Sequence, residues 1–375
     1  MKLFGYELYK RKAVLWALQF MSDIRSNRVV LLAFRDTCSG NTNAIYRYIK
    51  KNCPDFEVKW AFYHAEKAPT DVVAKGDYIN LDTLEGLHYF ATSRYILTDT
   101  SFNNDLFKSG KQICIQMWHG DRGFKKVQYA AYPDGKYYDE IYCDYALSGS
   151  KYAEMVYVDA FRLPEERFLK IGCPRNDELF WKAEKGYNRI HEYYHLEKNA
   201  VIVLYAPTLR EKKRKEKNDV PFDYRAVLDK LEAKRNRPAY FLVRAHSANV
   251  GFAKKDDARY IDATDYPDMT DILLECDLLI TDYSSCAGDL AITDSGIVLF
   301  VPCDDHYTEE DRLLYFELES SPFYVAHNLE EILKSLERNE REISENNKAI
   351  LDFYGTYEDG KACQKLVCFM GEHKS

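Results

Sequence analysis

Five short stretches bring groups able to do acid–base or phosphate chemistry to the ends of apolar segments. After Ile113–Met117 come Trp118, His119 and Gly120, an imidazole followed by a glycine that leaves it little steric cover. A neutral imidazole accepts protons near physiological pH, so His119 is a candidate general base. Phe241–Val243 delivers Arg244 and His246, two residues apart and therefore on one side of an extended segment. Two such donors match a pyrophosphate, although an ion pair with a nearby aspartate is the plainer use of Arg244. Leu278–Ile280 runs into Thr281, Asp282, Tyr283, Ser284 and Ser285. A helix expected from about Ser285 offers N–H groups to a phosphate, and the serine hydroxyls either add donors or simply cap that helix. Two proline-fixed turns carry Arg175, Asn176 and Asp177 after Pro174, and Thr208 and Arg210 after Pro207. Asn176 or Asp177 reads equally well as a helix N-cap.

Such groups need a scaffold that ends its strands at one rim. Apolar segments at 29–34, 58–63, 95–98, 113–117 and 145–148, spaced by helix-length intervals, predict a parallel sheet covered on both faces. Segments at 201–206, 240–244, 278–281 and 297–301 predict a second sheet, and in such sheets ligands sit at the carboxyl ends of the strands. A length of 375 residues exceeds what one core organises. The expected class is α/β, with two Rossmann-like doubly wound domains facing a central cleft. Apolar content falls across 186–199, which divides the chain into a basic amphipathic membrane-associating segment (1–28), an N-terminal domain (29–190), a C-terminal domain (191–345) and a C-terminal helical segment (346–375). No GxGxxG follows the first strand and no GxxxxGK[ST] occurs, which removes most support for dinucleotide or P-loop chemistry.

Composition narrows the partners. A net charge of −8 argues against nucleic acid, and the basic run from Arg210 to Lys217 reads as a solvated loop. Ten cysteines form no Cys-x-x-Cys pair and no Cys/His ladder, so neither a zinc site nor a disulfide framework is expected. Required cofactors are expected to be none. Asp304 and Asp305 either recruit magnesium or form a solvated loop. No apolar run approaches the ~18 residues of a bilayer span. Val14, Leu15, Leu18, Phe20 and Met21 alternate with Lys10, Arg11, Lys12, Arg25 and Arg28. That pattern fits a helix lying on an anionic membrane surface, or one packed on its own domain.

The order and spacing of these motifs resemble the CDP-glycerol glycerophosphotransferase family, the teichoic acid primases and polymerases. The resemblance covers about 96–366 and includes Lys125 and Lys126 after the Trp-His-Gly stretch and the late Asp359–Ala362. It implies a GT-B fold with the acceptor side in the N-terminal half and the CDP-alditol side in the C-terminal half. His119 matches the family's proposed base, Arg244 and His246 its donor-phosphate segment, and Ser284 and Ser285 its pyrophosphate serines. Trp118, Gly120, Arg175, Asn176, Asp177, Pro207, Thr208, Arg210, Thr281, Asp282 and Tyr283 fall in the same motifs. The implied reaction moves an alditol phosphate, glycerol phosphate first among the options, from a CDP-alditol to a hydroxyl of a lipid-linked glycan, releasing CMP at the cytoplasmic face of a bacterial membrane. Two departures touch the motifs: Asp121 and Arg122 stand where the family has Thr-Pro, and Ser247 where it has Pro. A CDP-ribitol donor, a UDP-sugar transferase or epimerase of the same fold, and a non-catalytic nucleotide-binding subunit stay beside this reading. Oligomeric state is not legible.

Overall fold

The computed structural model describes residues 7–33, 36–101, 106–131, 143–182, 186–210, 217, 219–246, 251–303 and 305–373. Ser247, Asp304 and most of the basic run at 210–217 lie outside them. Continuous apolar segments form the central strands because both of their faces are covered. Val201–Ala206 is buried at every position, as are Leu278–Thr281 and Gly296–Phe300.

Seven parallel strands make the first sheet: β1 (Arg25–Leu32), β2 (Glu57–Phe62), β3 (Tyr78–Asn80), β4 (Ser93–Thr98), β5 (Ile113–Gln116), β6 (Tyr145–Ser148) and β7 (Phe168–Lys170), in the order β3-β2-β1-β4-β5-β6-β7. Six more make the second: β8 (Val201–Ala206), β9 (Ala239–Val243), β10 (Tyr260–Asp262), β11 (Leu278–Thr281), β12 (Gly296–Phe300) and β13 (Val325–Ala326), ordered β10-β9-β8-β11-β12-β13. Each order reverses once, between β1 and β4 and between β8 and β11, and a doubly wound sheet opens its ligand crevice at that reversal. The expected α/β class and two-domain doubly wound architecture hold.

The chain ends cross the expected boundaries. Helix Glu340–Tyr354 places Ile350 and Tyr354 in the second core, after which the chain returns and helix Ala362–Glu372 buries Cys363, Leu366 and Met370 in the first. The segment 346–375 is therefore shared between both cores. At the other end, helix Glu7–Met21 docks on the first domain through fully buried Leu15, and Gln19 Nε2 donates to Phe107 O and Gln112 Oε1, each at 3.2 Å. Arg28, read above as part of the amphipathic segment, is instead in β1 and buried, bonded to Thr92 Oγ1 at 2.7 Å and Glu57 at 3.0 Å. Its alkyl stem and ring contact with Tyr89 make burial tolerable once both carboxylate and hydroxyl partners are present.

Candidate active site

The two rims face each other across a cleft of about 300 Å³. His119, Lys125, Arg175 and Asn176 line it from the first domain; Pro207, Thr208, Arg244, His246, Ser284 and Ser285 line it from the second. Both histidines singled out from sequence thus meet one cavity.

The loop after β5 holds His119 by unusual means. Trp118 sits at φ 47°, a left-handed conformation that costs a bulky residue ~1–3 kcal/mol and persists only when neighbours enforce it. Its N–H donates to Gln116 Oε1 at 2.9 Å, and Asn41 Nδ2 donates to the carbonyls of Met117 and Trp118 at 2.9 and 2.8 Å. The indole packs edge-on against Phe161 and stacks on the imidazole, with ring centroids 4.3 Å apart. His119 Nδ1 lies 2.9 Å from Asp99 O. A carbonyl only accepts, so Nδ1 carries the proton and Nε2 the lone pair of the neutral ring. The ring keeps exposed surface toward the cleft, yet protein surrounds its other sides. That loss of hydration, joined by the positive charges of Arg175 and Lys125, lowers its pKa from the ordinary histidine value and favours the neutral base.

The opposite wall is stitched by the polar cluster that ends β11. Thr281 Oγ1 donates to Ala206 O at 2.6 Å, and Asp282 Oδ1 accepts from the N–H groups of Thr208 and Tyr283 at 2.8 and 2.6 Å. Arg210 pairs with Asp282 and Asp305, each at 3.0 Å, beneath the stacked rings of Tyr283 and Tyr307. Thr281, Asp282, Tyr283 and Arg210 therefore build the wall from behind, and Asp305, weighed above for magnesium, is held in this pair. Ser285 occupies the N-cap position of helix Cys286–Leu290 without a side-chain capping bond, so plain capping does not account for its hydroxyl. That helix has five residues, so the dipole cradle expected from sequence is small, and phosphate contacts there would fall to hydroxyls and first-turn N–H groups. A Cβ placed on Gly120 would stand 3.7 Å from Ser285 Oγ, which shows how closely the His119 loop approaches the serines.

Arg244 departs from the pyrophosphate role. Its Nη1 donates to the carbonyls of Ala263 and Tyr266 at 3.0 and 2.6 Å, so the guanidinium braces the loop after β10 while bordering the cleft. His246 stands exposed at the rim.

Beneath the cleft the domains are joined by buried charges. Asp289 receives Arg122 Nη1 at 3.1 Å, Arg175 Nε and Nη2 at 3.1 and 2.9 Å, and Asn176 Nδ2 at 3.1 Å. Arg122 Nη2 and Asn176 Nδ2 reach Glu358 at 2.9 Å. Arg175 and Asn176 thus border the cleft while serving the joint, and Asp177 turns away to accept the N–H groups of Ala362 and Cys363, each at 2.8 Å. Trp118 likewise acts on His119 rather than lining the cavity.

Sequence reasoning passed over Arg122, Asp289, Glu358 and the cleft role of Lys125. Burial pushes the Lys125 ammonium down to about 8, with Arg312 and Arg210 adding to the fall and Asp282 opposing it. Among the described residues its amine makes no hydrogen bond or ion pair. Along the chain only its place beside Lys126 marks it. A neighbouring cavity of about 260 Å³, bordered by Arg47, Tyr48 and Trp181, shares Gly40, Arg175, Asp268 and Thr270 with the cleft.

The chain is 26% identical over 347 residues to the teichoic acid poly(glycerol phosphate) polymerase of Staphylococcus epidermidis, covering 88% of this chain and 48% of that protein. It thus spans about half the length of that relative. To the teichoic acid ribitol-phosphate primase of Bacillus spizizenii it is 24% identical over 371 residues, covering 94% and 93%. Its fold superimposes on the wall teichoic acid polymerase TagF with a TM-score of 0.82 at 22% identity, covering 98% and 94% of the two chains, which is the GT-B arrangement. The model of the CDP-glycerol:poly(glycerophosphate) glycerophosphotransferases matches residues 14–370, and the chain belongs to that family.

Proposed function

We propose that the protein transfers glycerol phosphate from CDP-glycerol to a hydroxyl of a teichoic-acid-type acceptor and releases CMP. The carrying observation is a histidine held as a Nε2 base at the same cleft as Ser284, Ser285, Lys125 and His246. His119 Nε2 takes the acceptor's hydroxyl proton, the oxygen bonds to the phosphorus bearing glycerol, and the bridging P–O bond breaks with its electrons leaving on CMP. Lys125, His246 and the two serine hydroxyls meet the charge that grows on the pyrophosphate; such positioning and electrostatics dominate phosphoryl transfer. The adjoining cavity receives the rest of the acceptor.

The acceptor in this reading is lipid-linked and the enzyme works at the cytoplasmic face of an anionic membrane. Among the described residues no helix is long and apolar enough to cross a membrane. Support for surface attachment comes from helix Glu7–Met21: Leu15 faces the domain while Trp16, Phe20 and Met21 are 66, 82 and 76% exposed. No cofactor is required in this scheme. Incubation with CDP-glycerol or CDP-ribitol and a lipid-linked disaccharide, with and without magnesium or EDTA, followed by mass spectrometry, tests it. A product heavier by one or more glycerol phosphates is expected; no product with either donor overturns the reading.

A further inference from the structure

We propose that Asp121, Cys173 and Glu358 form a buried site for one zinc-like divalent cation at the joint where the C-terminal tail recrosses to the first domain. One carboxylate oxygen from each acid and the Cys173 sulfur lie within 4.8 Å of one another. They also crowd one face of Gly149: a Cβ placed there would stand 2.5 Å from Asp121 Oδ2, 2.8 Å from Glu358 Oε1 and 3.1 Å from Cys173 Sγ. Gly149 has no left-handed backbone to explain its glycine; the three side chains packed on its face leave no room for a Cβ. Zinc ligands lie at about 2.0–2.3 Å, which side-chain movements of less than about 1 Å would supply.

A second observation is independent of the convergence. Asp121 is 1% exposed, and its Oδ2 is buried without any hydrogen-bond partner, although Oδ1 accepts from Gly149 N and Tyr157 OH, both at 3.1 Å. A buried carboxylate oxygen left unmatched is costly, and a cation held among the three side chains would match it. The joint sets three acidic side chains (Asp121, Asp289, Glu358) against two guanidinium groups (Arg122, Arg175), so it has room for a further positive charge. Binding would release the thiol proton to solvent. A thiolate with two carboxylates suits zinc better than magnesium or calcium. The acids are already oriented from outside: Glu358 by Arg122, Asn176 and the N–H of Cys173, and Asp121 by Tyr157. No metal ladder shows along the chain because Cys173 and Glu358 stand 185 residues apart.

The test uses the full chain from zinc-supplemented growth, assayed for metal by mass spectrometry, then stripped with chelator and titrated with Co²⁺ while following thiolate-to-cobalt absorption in the near ultraviolet. One zinc per chain and a saturable cobalt–thiolate band are expected. Cys173→Ser and the isosteric Asp121→Asn should each lower occupancy at least ~10-fold, while Cys303→Ser and Cys368→Ser, at exposed thiols, leave it unchanged. Absence of metal and band in the wild-type chain overturns the proposal, as does a band that survives Cys173→Ser. Should that variant not fold, an undiminished band in Asp121→Asn overturns it equally.

Discussion

His119 Nδ1 donates to the backbone carbonyl of Asp99, a group that cannot accept the opposite tautomer. The bond joins the loop after β5 to the end of β4, so the protonation pattern of the ring is set by the sheet itself. General-base assistance of this kind contributes ~10²–10⁴-fold. His119→Ala should therefore lose that much turnover in a CMP-release assay while calorimetric binding of CDP-glycerol persists. Near-normal turnover would show that another group takes the proton.

Lys125 predicts the alkaline limb. Its ammonium, lowered to about 8 by burial and by Arg312 and Arg210 against Asp282 and Cys286, is charged below that pH and neutral above it. Activity that needs the charge must then fall as pH rises through about 8. Lys125→Arg, charged at every working pH, should shift the limb upward, and Lys125→Met should depress kcat/KM for CDP-glycerol across the range. An unchanged limb in the arginine variant would remove Lys125 from the site.

The N-terminal helix separates two functions by face. Trp16→Ser combined with Phe20→Ser should leave the melting temperature near wild type yet reduce flotation with anionic liposomes by tenfold or more, since each large side chain inserted in the interface contributes ~1.5–3 kcal/mol. Leu15→Ala should do the reverse: flotation is kept, and the stability of the helix or domain falls by ~2–5 kcal/mol. Equal flotation of the double variant and wild type would end the membrane reading for this helix.

At the joint, Arg122→Met should cost ~3–5 kcal/mol in urea unfolding, because buried Glu358 would lose its guanidinium partner and Asp289 one of its two. Arg341→Met, which breaks only an exposed pair with Glu345, should change stability little. Comparable midpoints for the two variants would mean that the network carries no stability.

The central strands were legible because a stretch covered on both faces reads as a continuous apolar run, as Val29–Leu32 does in β1, Val201–Ala206 in β8 and Leu278–Ile280 in β11. The edge strands β3, β7, β10 and β13, two or three residues long, were missed since so short a run has no periodicity. His119, Ser284 and Ser285 stood out because a strand end followed by small polar groups is a local pattern. Arg244 did not behave as its neighbourhood implied: its partners, Ala263 and Tyr266, are carbonyls of a distant loop that no side-chain pattern announces.

Sequence alone determined the fold class, the two doubly wound halves and the histidine at the first rim, all properties of local order and apolar patterning. Tertiary structure alone decided that Arg122, read as a departure from a motif, is a fully buried tie to Asp289 and Glu358, 167 and 236 residues away. A charge can stay out of water only where opposite charges are brought to meet it, and which ones meet is settled by how the two domains and the returning tail close on each other.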